Sequence, residues 1–187
     1  MKVLALSGSL RAASINSALL RAAARLAPPG MLVMPFSGIG DLPLFNPDFE
    51  PHVPPPVAAL YAEVAAADAL LIASPEYAHG ITGTIKNALD WLVSVESFVC
   101  KPVAVLNASP RAQHADAALR ETLKTMSAVI VEAASISIPL LGSNLTESGM
   151  VESPSVSGAI RDALVALRRA VLLRQSEQGP MLPFVPR

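Results

Sequence analysis

The stretch LALSGSLRAASINSALLRAA, residues 4–23, decides the fold. An apolar run gives way to small hydroxyl residues with one glycine and one arginine, and a helical pattern follows. Residues 2–7 (KVLALS) suit a buried strand, and the spacing over 15–26 suits a helix. The loop between them delivers the free backbone N–H groups and positive dipole end of that helix to one place, which favours an anion. Ser9, Ser14 and the amide of Asn16 are donors suited to phosphate oxygens. Arg11 adds charge-assisted bonds worth about 1.5–3 kcal/mol, and Gly8 lets the backbone turn. The plainer alternative makes Ser14 an ordinary N-cap and leaves Arg11 in solvent.

The same strand-then-helix pattern recurs along the chain. MLVMPF (31–36), DALLIAS (68–74), PVAVLNA (102–108) and AASISIP (133–139) read as further strands. Helical patterns fall at 57–66, 82–95, 115–128 and 156–174. Five strands alternating with five helices predict an α/β, doubly wound parallel sheet with helices on both faces. Ligands of such sheets sit beyond the carboxyl ends of the strands, where the strand order reverses. Residues 7–14, 74–80 and 107–114 therefore matter most.

With 187 residues, 52% of them hydrophobic, the chain fits one domain, expected over 1–175. Residues 176–187 (SEQGPMLPFVPR) read as an extended tail that docks on a neighbour. Residues 35–56 (PFSGIGDLPLFNPDFEPHVPPP) hold too many prolines for regular structure, yet Leu44 and Phe45 are buried-type residues, so this is a packed excursion and no linker. Net charge is −1 with dispersed basic residues, which argues against nucleic acid. Cys100 is the lone cysteine, and the first apolar run is shorter than the roughly 20 residues of a membrane span. Neither an export signal nor a membrane association is expected, and the cytoplasm is the expected location.

Several chemistries find no support. The opening loop lacks both the Gly-Lys-Ser ending of a Walker loop and the three-glycine dinucleotide fingerprint, so a mononucleotide such as FMN fits better than a pyrophosphate. His52, His79 and His114 are far apart, with no carboxylate at metal-ligand spacing, and no metal is assigned. No G-x-S-x-G accompanies Ser7 or Ser9, which disfavours a hydrolase.

GSLRAASIN (8–16) followed by SPEYAHGITGTIKNALDW (74–91) resembles the NADPH-dependent FMN reductase family of flavin, quinone, azo-dye and chromate reductases. The resemblance implies a flavodoxin-like fold with strand order 2-1-3-4-5. It implies that Ser9, Arg11, Ser14 and Asn16 bind the FMN phosphate. Pro75, Glu76, Tyr77, His79 and Gly80 then occupy flavin-contacting positions, and Ser109 lines the other edge. Many members carry asparagine where this chain has Ala78 and proline where it has Thr82. NADPH or NADH is the implied electron donor, and a homodimer or homotetramer the implied assembly.

The residues themselves support a flat ligand in the second loop. SPEYAHG (74–80) presents backbone N–H groups near a helix start, where they meet the negative charge of a reduced flavin. Met singly, Tyr77 is an ordinary half-buried residue and His79 a surface histidine. Glu76 would oppose that charge as a general base, so its carboxylate is expected on nearby loop amides, and no catalytic residue is assigned. Arg111 is a candidate for a phosphate of the nicotinamide cofactor. On the helix at 82–95, Ile81, Ile85, Leu89 and Leu92 form the stripe facing the sheet, while Asn87 and Trp91 form a second stripe suited to a subunit contact. The function expected is an FMN-dependent NAD(P)H oxidoreductase with a small-molecule electron acceptor. The alternatives are a flavodoxin-type electron carrier, whose acidic docking surface is missing among 15 acidic and 14 basic residues, and a binding protein without turnover.

Overall fold

The computed structural model describes residues 1–177. Strands β1 (Lys2–Ser7), β2 (Leu32–Pro35), β3 (Ala69–Ala73) and β4 (Pro102–Asn107) pair in parallel in the order β2-β1-β3-β4. Two short strands, β5 (Val129–Ile130) and β6 (Ile136–Ser137), share the far edge against β4. The register runs Val3 against Ala69 and Ser7 against Ala73, then Leu70 against Val103. This is the expected 2-1-3-4-5 sheet.

Alternate strand residues serve two helical layers, as the period-two geometry of a strand requires. Val3, Ala5, Leu71 and Ala104 pack with α1 (Ile15–Arg25) and α6 (Pro154–Glu177). Leu4, Leu6, Leu70 and Val103 pack with α2 (Pro55–Ala66), α3 (Gly83–Leu92) and α4 (Gln113–Thr125). Ser14 and Thr82 cap α1 and α3 through their hydroxyls, and two prolines open α2, where a missing N–H costs nothing. The chain leaves β1 for β2 on one side and reaches β3 on the other, which opens a crevice above the ends of β1 and β3.

The structure corrects several expectations. Of the edge strand expected at 133–139 only β6 is extended, and a 3₁₀ turn over Glu132–Ala134 separates it from β5, which precedes the expected range. Ser135 Oγ accepts a bond from the Val105 N–H at 3.1 Å and donates to the Val131 carbonyl at 2.9 Å, so a side chain replaces a ladder carbonyl. A short helix, α5 (Glu147–Glu152), capped by Thr146, was not expected. In the excursion of residues 35–56 the buried anchors are Ile39 and Leu42, while Leu44 is 83% exposed and Phe45 is half-exposed. Trp91 is wholly buried within the chain: its indole N–H donates to the Pro43 carbonyl at 2.8 Å, and Phe45 packs edge-on against it. Asn87 holds the same segment, accepting from the Phe45 N–H and donating to the Pro43 carbonyl. The second stripe of α3 thus binds the excursion and offers no indole to another subunit.

Helix α6 takes in Ser176 and Glu177 of the segment expected as a tail, and residues 178–187 lie outside the described residues. Among the described residues, no helix is long and apolar enough to cross a membrane.

Candidate functional site

The loops that follow β1, β3 and β4 stand side by side, with residues 141–147 opposite them, around a cavity of about 740 Å³. That size lies within the roughly 300–1,000 Å³ of small-ligand pockets.

Gly8 sits where the first two loops touch. Its N–H donates to the Ala73 carbonyl at 2.9 Å and its carbonyl accepts from Thr82 Oγ1 at 2.7 Å. A Cβ there would lie 2.1 Å from Ser74 Oγ and 2.6 Å from Ser74 Cβ. Gly8 is therefore required for close approach; its φ is outside the left-handed region, so the turn itself does not demand it. Thr82 caps α3 and also fixes this crossing.

Beyond Gly8 the polar side chains turn inward. Ser9, Ser14 and Asn16 are each at least nine-tenths buried and all line the cavity. Ser7 and Ser17 join hydroxyls at 2.7 Å, Ser9 Oγ accepts from the Arg11 N–H, and Ser14 Oγ accepts from the Ser17 N–H. Asn16 Oδ1 is shut away from solvent with no hydrogen-bond partner. An unpaired buried polar atom costs about 1–3 kcal/mol. The amide's Nδ2 is not shut away with it, makes no hydrogen bond among the described residues, and is a free donor on a residue that lines the cavity. Arg11 is exposed on the cavity wall, and no ion pair among the described residues involves it. Two serine hydroxyls, an unsatisfied amide and an uncommitted guanidinium form a donor set that fits a phosphate monoester.

Arg21 also reaches the wall, but its Nε is bonded to Glu147 at 2.8 Å, and Arg25 joins at 3.5 Å. The hydrogen bond from Arg21, reinforced by the charges of both arginines, holds the Glu147 carboxyl below its usual range. That tie between α1 and α5 is complete above the ordinary carboxylate range and is lost as pH falls through the depressed value.

In the second loop, Pro75, Glu76 and Tyr77 line the cavity. Glu76 Oε2 accepts the Ala115 N–H at 2.9 Å, an amide of the first turn of α4 where a loop amide was expected, so its carboxylate braces the second loop against the start of α4. The wall does not include His79 or Gly80. Tyr77 and Gly80 close a two-residue turn by reciprocal backbone bonds, and this points the His79 ring away from the cavity onto His114, at 4.5 Å between ring centres. In the third loop Asn107 folds inward, donating to the Ala112 carbonyl and accepting from the Ser109 N–H, while Ser109 and Arg111 line the cavity.

Eight of the ten expected site residues thus line one cavity: Ser9, Arg11, Ser14, Asn16, Pro75, Glu76, Tyr77 and Ser109. The wall formed by Leu141, Gly142, Asn144 and Thr146 was missed. Its signal was the run LGSNLT (141–146), in which Gly142 and Asn144 take left-handed backbone and Thr146 caps a helix, the marks of a fourth strand-to-helix loop. Among the described residues, no three metal-ligating side chains gather.

The sheet order and a loop-built cavity over its carboxyl ends define a flavodoxin-like α/β protein. A profile described as NADPH-dependent FMN reductase matches residues 1–140, and the chain belongs to that family. It is 45% identical over 112 residues to the NAD(P)H-dependent FMN reductase PA1204 of Pseudomonas aeruginosa, a match covering 58% of this chain and 60% of that protein. It is 35% identical over 113 residues to a quinone reductase of Escherichia coli K12, with the same two coverages. The chain thus spans about 60% of the length of these relatives. Among solved structures, the flavoenzyme NAD(P)H:(acceptor) oxidoreductase FerB of Paracoccus denitrificans superposes with a TM-score of 0.75 at 28% identity, over 90% of this chain and 97% of that one.

Proposed function

We propose that the chain binds FMN in this cavity and acts as an NAD(P)H oxidoreductase, taking electrons from NADPH or NADH and delivering them to a quinone, a free flavin, an azo compound or a metal oxyanion. The buried hydroxyl loop with its orphaned Asn16 amide and uncommitted Arg11 carries this proposal, because it opens into the same cavity as Pro75, Glu76 and Tyr77. Ser9, Arg11, Ser14 and Asn16 hold the phosphate. Pro75, Glu76, Tyr77 and Ser109 line the ring system, largely through backbone groups, while His79 and Gly80 contribute through the shape of their turn. Arg111 stands two strands from the phosphate loop, roughly 10 Å across the sheet, and suits a phosphate of the donor.

FMN, when bound, supplies hydride acceptance and onward electron delivery. The chain supplies position and N–H groups directed at developing negative charge. Glu76, with Oε2 bonded to Ala115, is assigned no proton-transfer role. Relatives named as FMN reductase and quinone reductase favour an enzyme over an electron carrier. We place it in the cytoplasm, with residues 1–175 as one FMN-binding domain and a small molecule as acceptor. A homodimer or homotetramer is the assembly we propose, on the family resemblance.

Donor and acceptor share one open side of the cavity, so they enter in turn. Steady-state oxidation of NADPH and NADH by the FMN-loaded protein, with a quinone varied, is expected to give rapid turnover and parallel double-reciprocal lines. Tight FMN binding without turnover from either donor would select the electron carrier.

A further inference from the structure

We infer that His114, which does not line the cavity, is a positioning residue of the site: stacked on His79, it holds the turn that presents Tyr77 to the cavity. Its effect on function rests on the FMN-binding proposal above; its effect on the turn stands on geometry alone. The Tyr77 N–H donates to the Gly80 carbonyl at 3.1 Å, and the Gly80 N–H donates to the Tyr77 carbonyl at 3.0 Å. Between them Ala78 and His79 both take positive φ, 49° and 58°. Two central residues with positive φ are the pattern of a type I′ turn, which sequences fill by preference with Asn-Gly. Here neither residue is glycine or asparagine. The left-handed region disfavours a residue with a Cβ by roughly five- to thirty-fold, so contacts from outside the turn must hold it.

Two such contacts come from adjacent residues at the start of α4. The Ala115 N–H binds Glu76, just before the turn, and the His114 ring lies on the His79 ring at 4.5 Å with 19° between planes. Together they fix the chain on both sides of Tyr77. Tyr77 lines the cavity while remaining 54% exposed, and among the described residues its side chain makes no hydrogen bond. Its place is therefore set by the turn, and the turn's by His114 as much as by its own residues.

Three proteins test this: His114→Ala, His114→Phe, and His114→Ala combined with Ala78→Asn and His79→Gly. Two readouts apply, hydrogen exchange of the Tyr77 and Gly80 amides in the ligand-free protein, and the absorption spectrum and midpoint potential of the FMN-loaded protein. His114→Ala is expected to speed exchange about three- to ten-fold, the range of a lost aromatic stack, and to shift the potential. His114→Phe keeps the stack and the parental values. The Asn-Gly combination restores both, because that turn needs no external support; a purely structural loss at α4 would not be rescued there. Unchanged exchange in His114→Ala, or failure of the combined substitution to restore it, overturns the inference. Should the unsubstituted protein fail to bind FMN, the proposed function falls while the exchange data still decide the role of His114.

Discussion

Gly8→Ala is expected to abolish measurable FMN binding and to destabilise the protein by about 1–3 kcal/mol or more, the range for forcing atoms into a packed site. The new methyl group would stand 2.6 Å from Ser74 Cβ and 3.0 Å from Ser74 Cα, so no rotation of the serine relieves it. Either the loop after β1 or the loop after β3 must move, and both the Gly8–Ala73 and Thr82–Gly8 bonds lie across that boundary. Because the two loops form adjoining walls of one cavity, the displacement falls on the ligand site. Gly83→Ala is the control: nothing lies within 4 Å of the added atom, and alanine favours the helix. Thermal unfolding and FMN titration of both variants separate the cases. A Gly8→Ala protein with native stability and FMN affinity would show that the loops do not meet as described.

Trp91→Ala is expected to cost about 3–5 kcal/mol of stability, typical of a large aromatic removed from a core. It also strips the excursion of residues 35–56 of its bond to the indole and of the edge-on contact with Phe45. Urea unfolding should show the loss, and limited proteolysis of the still-folded protein should cut first within that excursion. A change in assembly with stability unaltered would return Trp91 to a subunit interface.

Trp91 also shows where sequence stops speaking. Helical spacing separates two faces of α3, but the burial of the second face depends on a segment 44 to 48 residues earlier, whose path is fixed by carbonyls at Leu42 and Pro43 that no side-chain pattern reveals. Strand runs such as residues 2–7 were legible because burial on both faces leaves a continuous apolar stretch. The edge strand was not, because one hydroxyl, Ser135, interrupts it from the side. The phosphate loop was readable from local chemistry, with hydroxyls and an arginine before a helix. The wall at residues 141–147 carried local marks in Gly142, Asn144 and Thr146, but only the tertiary structure sets it beside the other three loops. His79 was placed on the ring-binding side by resemblance, and the positive φ of Ala78 and His79 turned it outward.

Titration of the ligand-free protein with FMN and with riboflavin, by calorimetry, tests most directly whether the loop from Ser9 to Asn16 is a phosphate site. The two ligands differ only in the phosphate. FMN is expected to bind at least about 100-fold more tightly, the equivalent of roughly 2.7 kcal/mol. Arg11→Ala should remove about 1.5–3 kcal/mol of that advantage and leave riboflavin affinity unchanged. Equal affinities for FMN and riboflavin, or an Arg11→Ala protein that keeps the full preference, would contradict the assignment of this loop to a phosphate.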